Sequence, residues 1–343
     1  MTDRATYGSE RSALVLGATG GIGGAIAAAL LRHGWAVRAL VRDRDAAMAG
    51  WRCGAPMPDF IVGDAMERSH VVAAASGGGG VSAIVHAVNP PGYRKWNQLV
   101  LPMLDNGIAA ARAAAGARIV LPGTVYNYDP ATVPVIDGDT PQNARTRKGR
   151  IRVAMEKRLA DAARETPALI LRAGDFFGPG TLSSWFSQAM VTPGRPLHKI
   201  TSMAVGVPHA YAFLPDLAET FAQLLDRPER LQPFEVLQFA GHWDATGTAM
   251  RDAIRRAAGR DLPERSFPWW LMRLASPFGG FAREACEIEP VWRHPMRLDN
   301  ERLVGLLGAE PHTPLDEAVT AALADLGCAD FRETRTAPPA AHA

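Results

Sequence analysis

Short apolar runs alternate with longer stretches in which apolar residues recur every three or four positions, and this alternation persists through the first 175 residues. Residues 13–16 (ALVL) are a run of the length of a buried strand. Directly after a glycine-rich turn, Ile22, Ile26, Ala29 and Leu30 fall on one helix face. Runs at 35–41, 60–62, 83–88, 118–121 and 168–171 read as further strands. Residues 99–115, with Leu104, Ile108 and Ala111 on one side, and residues 146–164 read as helices. Repeated strand–helix–strand order predicts a doubly wound α/β unit: a parallel sheet with helices on both faces. After Gly174 the pattern loosens. Proline and glycine become frequent and aromatic residues gather at 267–270 and 278–281. One helix remains clear at 216–225, with Leu217, Phe221 and Leu224 on one side.

The turn between the first strand and the first helix reads GATGGIG. It places Gly17, Gly20 and Gly23 in GxxGxxG spacing, with Thr19, Gly21 and Ile22 between them. Glycines there let the backbone turn tightly and approach a pyrophosphate, and the helix N-terminus offers free N–H groups at its positive end. The strand before and the helix after are the context this motif requires. The expected fold is therefore a doubly wound parallel Rossmann sheet with a smaller C-terminal substrate-covering lobe. The Rossmann unit is assigned to residues 1–175, the lobe, interleaved with it, to 176–330, and a disordered tail to 331–343.

The end of the second strand distinguishes between cofactors. An acid there accepts hydrogen bonds from the adenosine ribose. This strand ends Ala39-Leu40-Val41 and Arg42 follows. Val41 offers the ribose nothing, whereas Arg42 is suited to a 2′-phosphate, so NADP(H) is expected, with NAD possible. The competing reading makes Arg42 a solvated loop cation beside Asp43.

Composition narrows the class. Apolar residues make up 47% and charged residues 21%, as in ordinary globular proteins, and a net charge of +2 gives no bulk attraction to nucleic acid. Cys53, Cys286 and Cys328 lie far apart and form no metal or redox pattern, which fits a reduced cytoplasm. The uncharged run 12–31 is long enough to test as a membrane span. Its central glycines and change of period fit a strand, turn and helix instead. A small-molecule substrate is expected, with no metal, nucleic acid or membrane.

These residues resemble the short-chain dehydrogenase/reductase superfamily, in its extended or atypical branch that includes NAD-dependent epimerases and dehydratases. The likeness runs over about residues 13–326. Besides GATGGIG it rests on Gly63-Asp64, His86-Ala87-Val88-Asn89, Thr124-Val125-Tyr126, the segment LRAGDFFGP at 171–179, Arg297-Leu298-Asp299-Asn300 and Leu306-Leu307-Gly308. The resemblance implies that Asp64 and Ala65 lie against adenine, that Ala87, Val88 and Asn89 line the cofactor, and that the chain is a homodimer through the helices at 99–115 and 146–164.

The same resemblance implies a catalytic tyrosine with a lysine four residues later. None of the five tyrosines, Tyr7, Tyr93, Tyr126, Tyr128 and Tyr211, has a lysine at that spacing. Registering on Glu156 puts Arg152 at the lysine position and Lys148 at the tyrosine position. Counting back from Tyr126 puts Pro122 at the usual serine or threonine. As substitutes, Arg152 is suited to hold ribose hydroxyls. Lys148 is suited to donate a proton, its pKa lowered by Arg147, Arg150 and Arg152, and Thr124 or Tyr126 to orient a substrate oxygen. The alternative is a basic, solvated or anion-recognising helix with no proton chemistry. His86 is either a base or a packed core residue. Trp269, Trp270 and Phe278 wall an apolar pocket, a core or a dimer surface. Two functions follow: an NADP(H)-dependent oxidoreductase or epimerase-like enzyme on a small carbonyl or hydroxyl compound, or an NADP(H)-binding sensor or scaffold without turnover.

Overall fold

Strand β1 (Ser12–Leu16) is buried over its last four residues, as an all-apolar strand covered on both faces must be. It belongs to a seven-stranded parallel sheet with β2 (Ala36–Val41), β3 (Asp59–Val62), β4 (Ala83–His86), β5 (Arg118–Pro122), β6 (Ala168–Arg172) and β7 (Phe234–Gln238), in the order 3-2-1-4-5-6-7. The computed structural model describes residues 11–54, 56–90 and 96–328. The proposed tail at 331–343, Tyr7 and Tyr93 lie outside them. The order reverses between β1 and β4, which opens a crevice at their C-terminal ends.

Alternate residues of β1 face two different helical layers. Ala13 and Val15 pack with Ile26 and Leu30 of α1 (Gly21–Arg32). α2 (Arg44–Ala49) follows β2. Leu14 and Leu16 face the opposite layer, made of α3 (Arg68–Ser76), α4 (Trp96–Ala113) and α5 (Arg147–Ala162), through Val71, Leu104, Ile108 and Leu159. α6 (Leu214–Leu225) joins α1 through Leu217, Phe221 and Leu224. The uncharged run 12–31 is thus divided between β1, the turn and α1, and among the described residues no helix is long and apolar enough to cross a membrane.

Beyond β6 the chain builds a second core before and after it lends β7 to the central sheet. Strands 242–244, 209–213 and 175–177 form a small sheet, 200–202 pairs with 264–266, and 297–298 pairs with 135–136. Around them lie α7 (Ala249–Ala258), α8 (Trp269–Ala275), α9 (Gly280–Arg293) and α11 (Leu315–Asp325), whereas α10 (Glu301–Leu307) packs on the first core through Leu303 and Leu306. Phe177, Trp185, Phe213, Trp269, Trp292 and Leu323 fill this core. Trp269 is a core residue whose indole N–H donates to the Met203 carbonyl at 2.7 Å. Trp270 and Phe278 are exposed.

The far end of the α1–α6 pair carries a titratable clamp. His33 Nδ1 lies 2.6 Å from Asp226 and Nε2 lies 2.8 Å from Glu219, while the Trp35 indole N–H donates to Asp226 at 2.8 Å. Partial burial pulls the imidazole pKa down, but hydrogen bonds and charge from Asp226 and Glu219 outweigh it and leave it raised. A raised histidine pKa adds stability that is complete below about pH 6.5 and is lost as pH climbs through the folded-state value. The two carboxylates, held low, act oppositely and lose their contribution as the medium turns acidic. Chemical denaturation of His33→Gln across pH 5–9 is expected to show less decline above pH 6.5 than the parent. An unchanged slope would remove His33 from the account.

Candidate functional site

At the crevice, glycine is required for different reasons at neighbouring positions. Gly17 has φ +92°, and a Cβ there would lie 2.7 Å from the Ala87 carbonyl oxygen. A Cβ on Gly23 would collide with the Gly17 carbonyl, and one on Gly21 would lie 2.8 Å from the Gly180 oxygen. The protein's own packing therefore demands these three. Gly20 is different. Its φ of −91° and ψ of 164° suit any residue, and among the described residues the only heavy atom near an added Cβ would be the Gly17 oxygen at 3.3 Å. Gly20 and Thr19 are exposed, Gly21 and Ile22 half-buried, and α1 starts without a side-chain cap, leaving first-turn N–H groups for an anion. A cradle that a single methyl group would fill, at a helix start, fits the pyrophosphate of a dinucleotide.

The adenosine side lies at the ends of β2 and β3. Val41 is buried and Arg42 exposed. Asp43 does not neutralise its neighbour: its carboxylate caps α2 by accepting from the Ala46 N–H at 2.9 Å. Among the described residues Arg42 makes no ion pair, so its guanidinium is available. The Asp64 carboxylate accepts from the Met66 N–H at 2.9 Å, and its N–H donates to His70 Nδ1 at 3.2 Å. Asn106, buried on α4, donates to the carbonyls of Ala65 and Met66 at 3.0 and 2.9 Å. It fixes the loop that carries Asp64 and Ala65.

Past β4, Ala87 and Val88 are half-buried and Asn89 is exposed. β4 stops at His86, two residues earlier than its apolar run suggests, although the Ala87 N–H still donates to the Leu16 carbonyl of β1 at 2.9 Å. His86 is 2% exposed, and neither ring nitrogen bonds to a described residue. Burial, then the charge of Arg152, pushes its pKa down to about 3, so it is a neutral packed residue at physiological pH. After β5, Thr124 Oγ1 accepts from the Tyr126 N–H at 3.4 Å, and both side chains are half-buried. Glu156 of α5 grips Arg172 at the end of β6 through two bonds, 3.1 and 2.6 Å, with both residues buried. Gly123 makes room for that arginine, since a Cβ there would lie 2.8 Å from its Cγ.

Thr146 caps α5 by accepting from the Gly149 N–H at 2.9 Å, and the helix then separates its two notable cations. Arg152 is half-buried, with its guanidinium 5.1 Å from the centre of the Trp96 ring, on the side of His86. Lys148 is 1% exposed and turned toward α9. Its Nζ lies 2.8 Å from the Glu284 carboxylate and donates to the Glu284 carbonyl at 3.1 Å, while its N–H donates to Glu287 at 2.6 Å. Its pKa is lowered, but the cause differs from the sequence expectation. Burial is the largest, Glu284 and Glu287 oppose it, and Arg147 contributes least. Arg150 is exposed and donates to the Arg145 carbonyl at 2.9 Å.

Beside the ends of β5 and β6 the structure adds residues not singled out in the sequence. His209 Nε2 lies 2.7 Å from Asp175, and its ring stacks on Trp292 at 3.9 Å. The pair lines a small pocket with Val125, Val291 and Met296. Trp185 meets Phe281 at 5.7 Å and Phe267 at 6.3 Å, an aromatic wall from residues other than Trp270 and Phe278. No signal at the level of spacing joins these positions.

Known proteins share this fold. Residues 13–238 match the profile of the NAD dependent epimerase/dehydratase family. A 3-diazoavenalumate denitrifying reductase from Streptomyces sp is 30% identical over 181 residues, 49% of this chain. The match spans 57% of that reductase. The crystal structure of the Bordetella bronchiseptica enzyme WbmH in complex with NAD+ superposes with a TM-score of 0.66 at 19% identity, covering 94% of this chain and 99% of the other. That of a putative epimerase from Burkholderia cenocepacia J2315 gives 0.68 at 18%, covering 93% and 99%. At these identities the two structures establish the fold alone.

Proposed function

The chain belongs to the NAD dependent epimerase/dehydratase family, and from that membership we propose that it is an NADP(H)-dependent reductase of a small organic molecule. The observation that carries the reading is the open cradle at Gly20 beside an uncapped α1. When bound, the nicotinamide supplies or accepts hydride. The chain's part is to hold the pyrophosphate at residues 17–23, the adenosine between Arg42 and Asp64, and the nicotinamide side against Ala87, Val88 and Arg152. The second core serves as the substrate-covering lobe.

Reduction is favoured over epimerisation by the reductase relative. A substrate like the one that relative is named for also suits the site. When hydride replaces a diazonium group on carbon, the carbon–nitrogen bond breaks and dinitrogen leaves, so no oxyanion forms that needs a proton. The ammonium of Lys148 is already committed to Glu284. A carbonyl compound would instead draw its proton from Tyr126, Thr124 or Lys148. A cytoplasmic setting accords with three unpaired cysteines. The buried state of Lys148 favours the second reading, an NADP(H)-binding protein without turnover.

Titrating NADPH and NADH by fluorescence tests the cofactor assignment. The parent is expected to bind NADPH at least tenfold more tightly, the worth of one charge-assisted contact to a phosphate of about 1.5–3 kcal/mol, and Arg42→Ala to lose that difference. Equal affinity in the parent overturns it.

A further inference from the structure

Among the described residues, the Trp, Phe and Leu side chains that stand in solvent are Leu182, Trp270 (67% exposed), Leu271, Leu274, Phe278 (92%) and Phe281, and all belong to the second core. Trp270, Leu271 and Leu274 share the outer side of α8, Phe278 protrudes at the turn, and Phe281 opens α9. The inner side of this hairpin is occupied: Trp269 is core, and Glu284 and Glu287 hold Lys148. At about 200 Å² for a fully exposed ring, the three aromatic side chains alone present on the order of 400 Å². With the leucines added, the patch reaches a size that marks an interaction surface rather than scattered surface residues.

We propose that this hairpin docks on the surface of a lipid bilayer with anionic headgroups, its apolar tip at the acyl boundary and its arginines at the level of the phosphates. Charge decides for this occupant. From Arg265 through Arg273 to Arg283 the chain carries no Asp or Glu. Arg265 and Arg283 are exposed and make no ion pair among the described residues. Arg283 is fixed beside the turn by donating to the carbonyls of Ser276 and Pro277 at 3.4 and 3.1 Å. It shares with Arg147 the lining of a groove next to the tip. The carboxylates that border the hairpin are already engaged: Glu284 and Glu287 by Lys148 and Arg147, and Glu289 by Arg273 and Arg293. An apolar tip of Trp, Leu and Phe within a collar of arginines is the composition of a segment that lies in the interface plane, where a Trp ring and long basic side chains both find their place. Such a hairpin rests on a bilayer without spanning it, so the sequence expectation of no membrane partner gives way to a peripheral contact.

Co-sedimentation of the full chain with vesicles tests this. The parent is expected in the pellet with vesicles of phosphatidylglycerol and phosphatidylcholine in equal parts. With phosphatidylcholine alone, or at about 0.5 M salt, it should stay mostly in the supernatant, because the arginine attraction is then absent or screened. Binding should shift tryptophan emission to the blue, since Trp270 is the one tryptophan more than half exposed among the described residues, and Trp270→Phe should pellet without that shift. Leu274→Glu with Phe278→Glu is expected to lower the vesicle partition coefficient at least 100-fold, with a melting temperature that barely moves because exposed positions contribute little to folding. Arg265→Gln with Arg283→Gln should lower it about tenfold and flatten its salt dependence. A parent that stays in the supernatant with phosphatidylglycerol vesicles overturns the proposal, as does pelleting that survives the α8 and turn substitutions or is equally strong on phosphatidylcholine. A dimer seen by light scattering without vesicles, and broken by Leu274→Glu with Phe278→Glu, overturns it in favour of a protein partner on this face.

Discussion

Gly20→Val is expected to yield a folded protein that has lost NADPH and NADH affinity by at least 100-fold. The structure separates this position from its neighbours. Its backbone is in the extended region that valine favours, and the nearest obstacle to a Cβ is one carbonyl oxygen at 3.3 Å. The cost to the apo protein is that of a poor N-cap, about 1 kcal/mol or less. A ligand phosphate approaching the first turn of α1 would instead meet two methyl groups where it needs contact with the main chain. Gly23→Ala is the control: its Cβ would strike the Gly17 carbonyl, so that variant should be destabilised whether or not cofactor is present. Isothermal titration with both cofactors, alongside thermal melting, reads the two effects apart. Normal binding by a folded Gly20→Val would mean that no dinucleotide lies against this turn.

Lys148→Met is expected to keep NADPH affinity, lose roughly 5 °C in melting temperature and lose about 10²-fold in turnover. Removing the ammonium leaves the Glu284 carboxylate, whose side chain is only 15% exposed, with the half-exposed Arg147 guanidinium at 3.2 Å in place of its buried partner. Breaking such a pair costs about 3 kcal/mol, which in a chain of this size is a few degrees. The double variant Lys148→Met, Glu284→Met replaces the pair with apolar side chains and should recover most of the stability. Turnover then decides what the lysine does. If it returns with stability, Lys148 acts by holding α9 against α5. If it stays down by the 10² to 10⁴ typical of a lost proton donor, Lys148 passes a proton to substrate. A protein with no turnover to lose would instead fit the sensor reading.

The parts legible in the sequence are those whose reasons are local. β1, the glycine turn and α1 lie within 21 residues, and the apolar run, turn residues and helical period all agree there. β7 escapes such a reading because Glu235 interrupts its apolar character. That carboxylate is 3% exposed and is reached by Arg302, 67 positions away, a pairing no window reveals. Lys148 meets the same limit. Position in α5 suggests cationic neighbours, whereas its environment is set by Glu284, 136 residues later. α2 does carry a local signal, an aspartate cap at Asp43 ahead of a short helix, although its apolar pattern is too brief to stand out. Trp269 and Trp270 are adjacent and look alike in the sequence, yet successive helical residues point about 100° apart, and one is core while the other meets solvent.

β7 enters the central sheet only after the chain has left it for more than sixty residues, and this late return governs which movements are possible. The second core is attached through five junctions, between β6 and the strand at 175–177, between the strand at 209–213 and α6, between β7 and the strand at 242–244, between the strand at 297–298 and α10, and between α10 and α11. Arg118 of β5 reinforces the outermost region by donating to the carbonyls of Ala168 and Gln232. Cutting the chain at residue 175 would strip the sheet of an edge strand and α1 of its α6 cover, so neither part is a separable module. Any opening that admits a substrate must therefore strain those five junctions together.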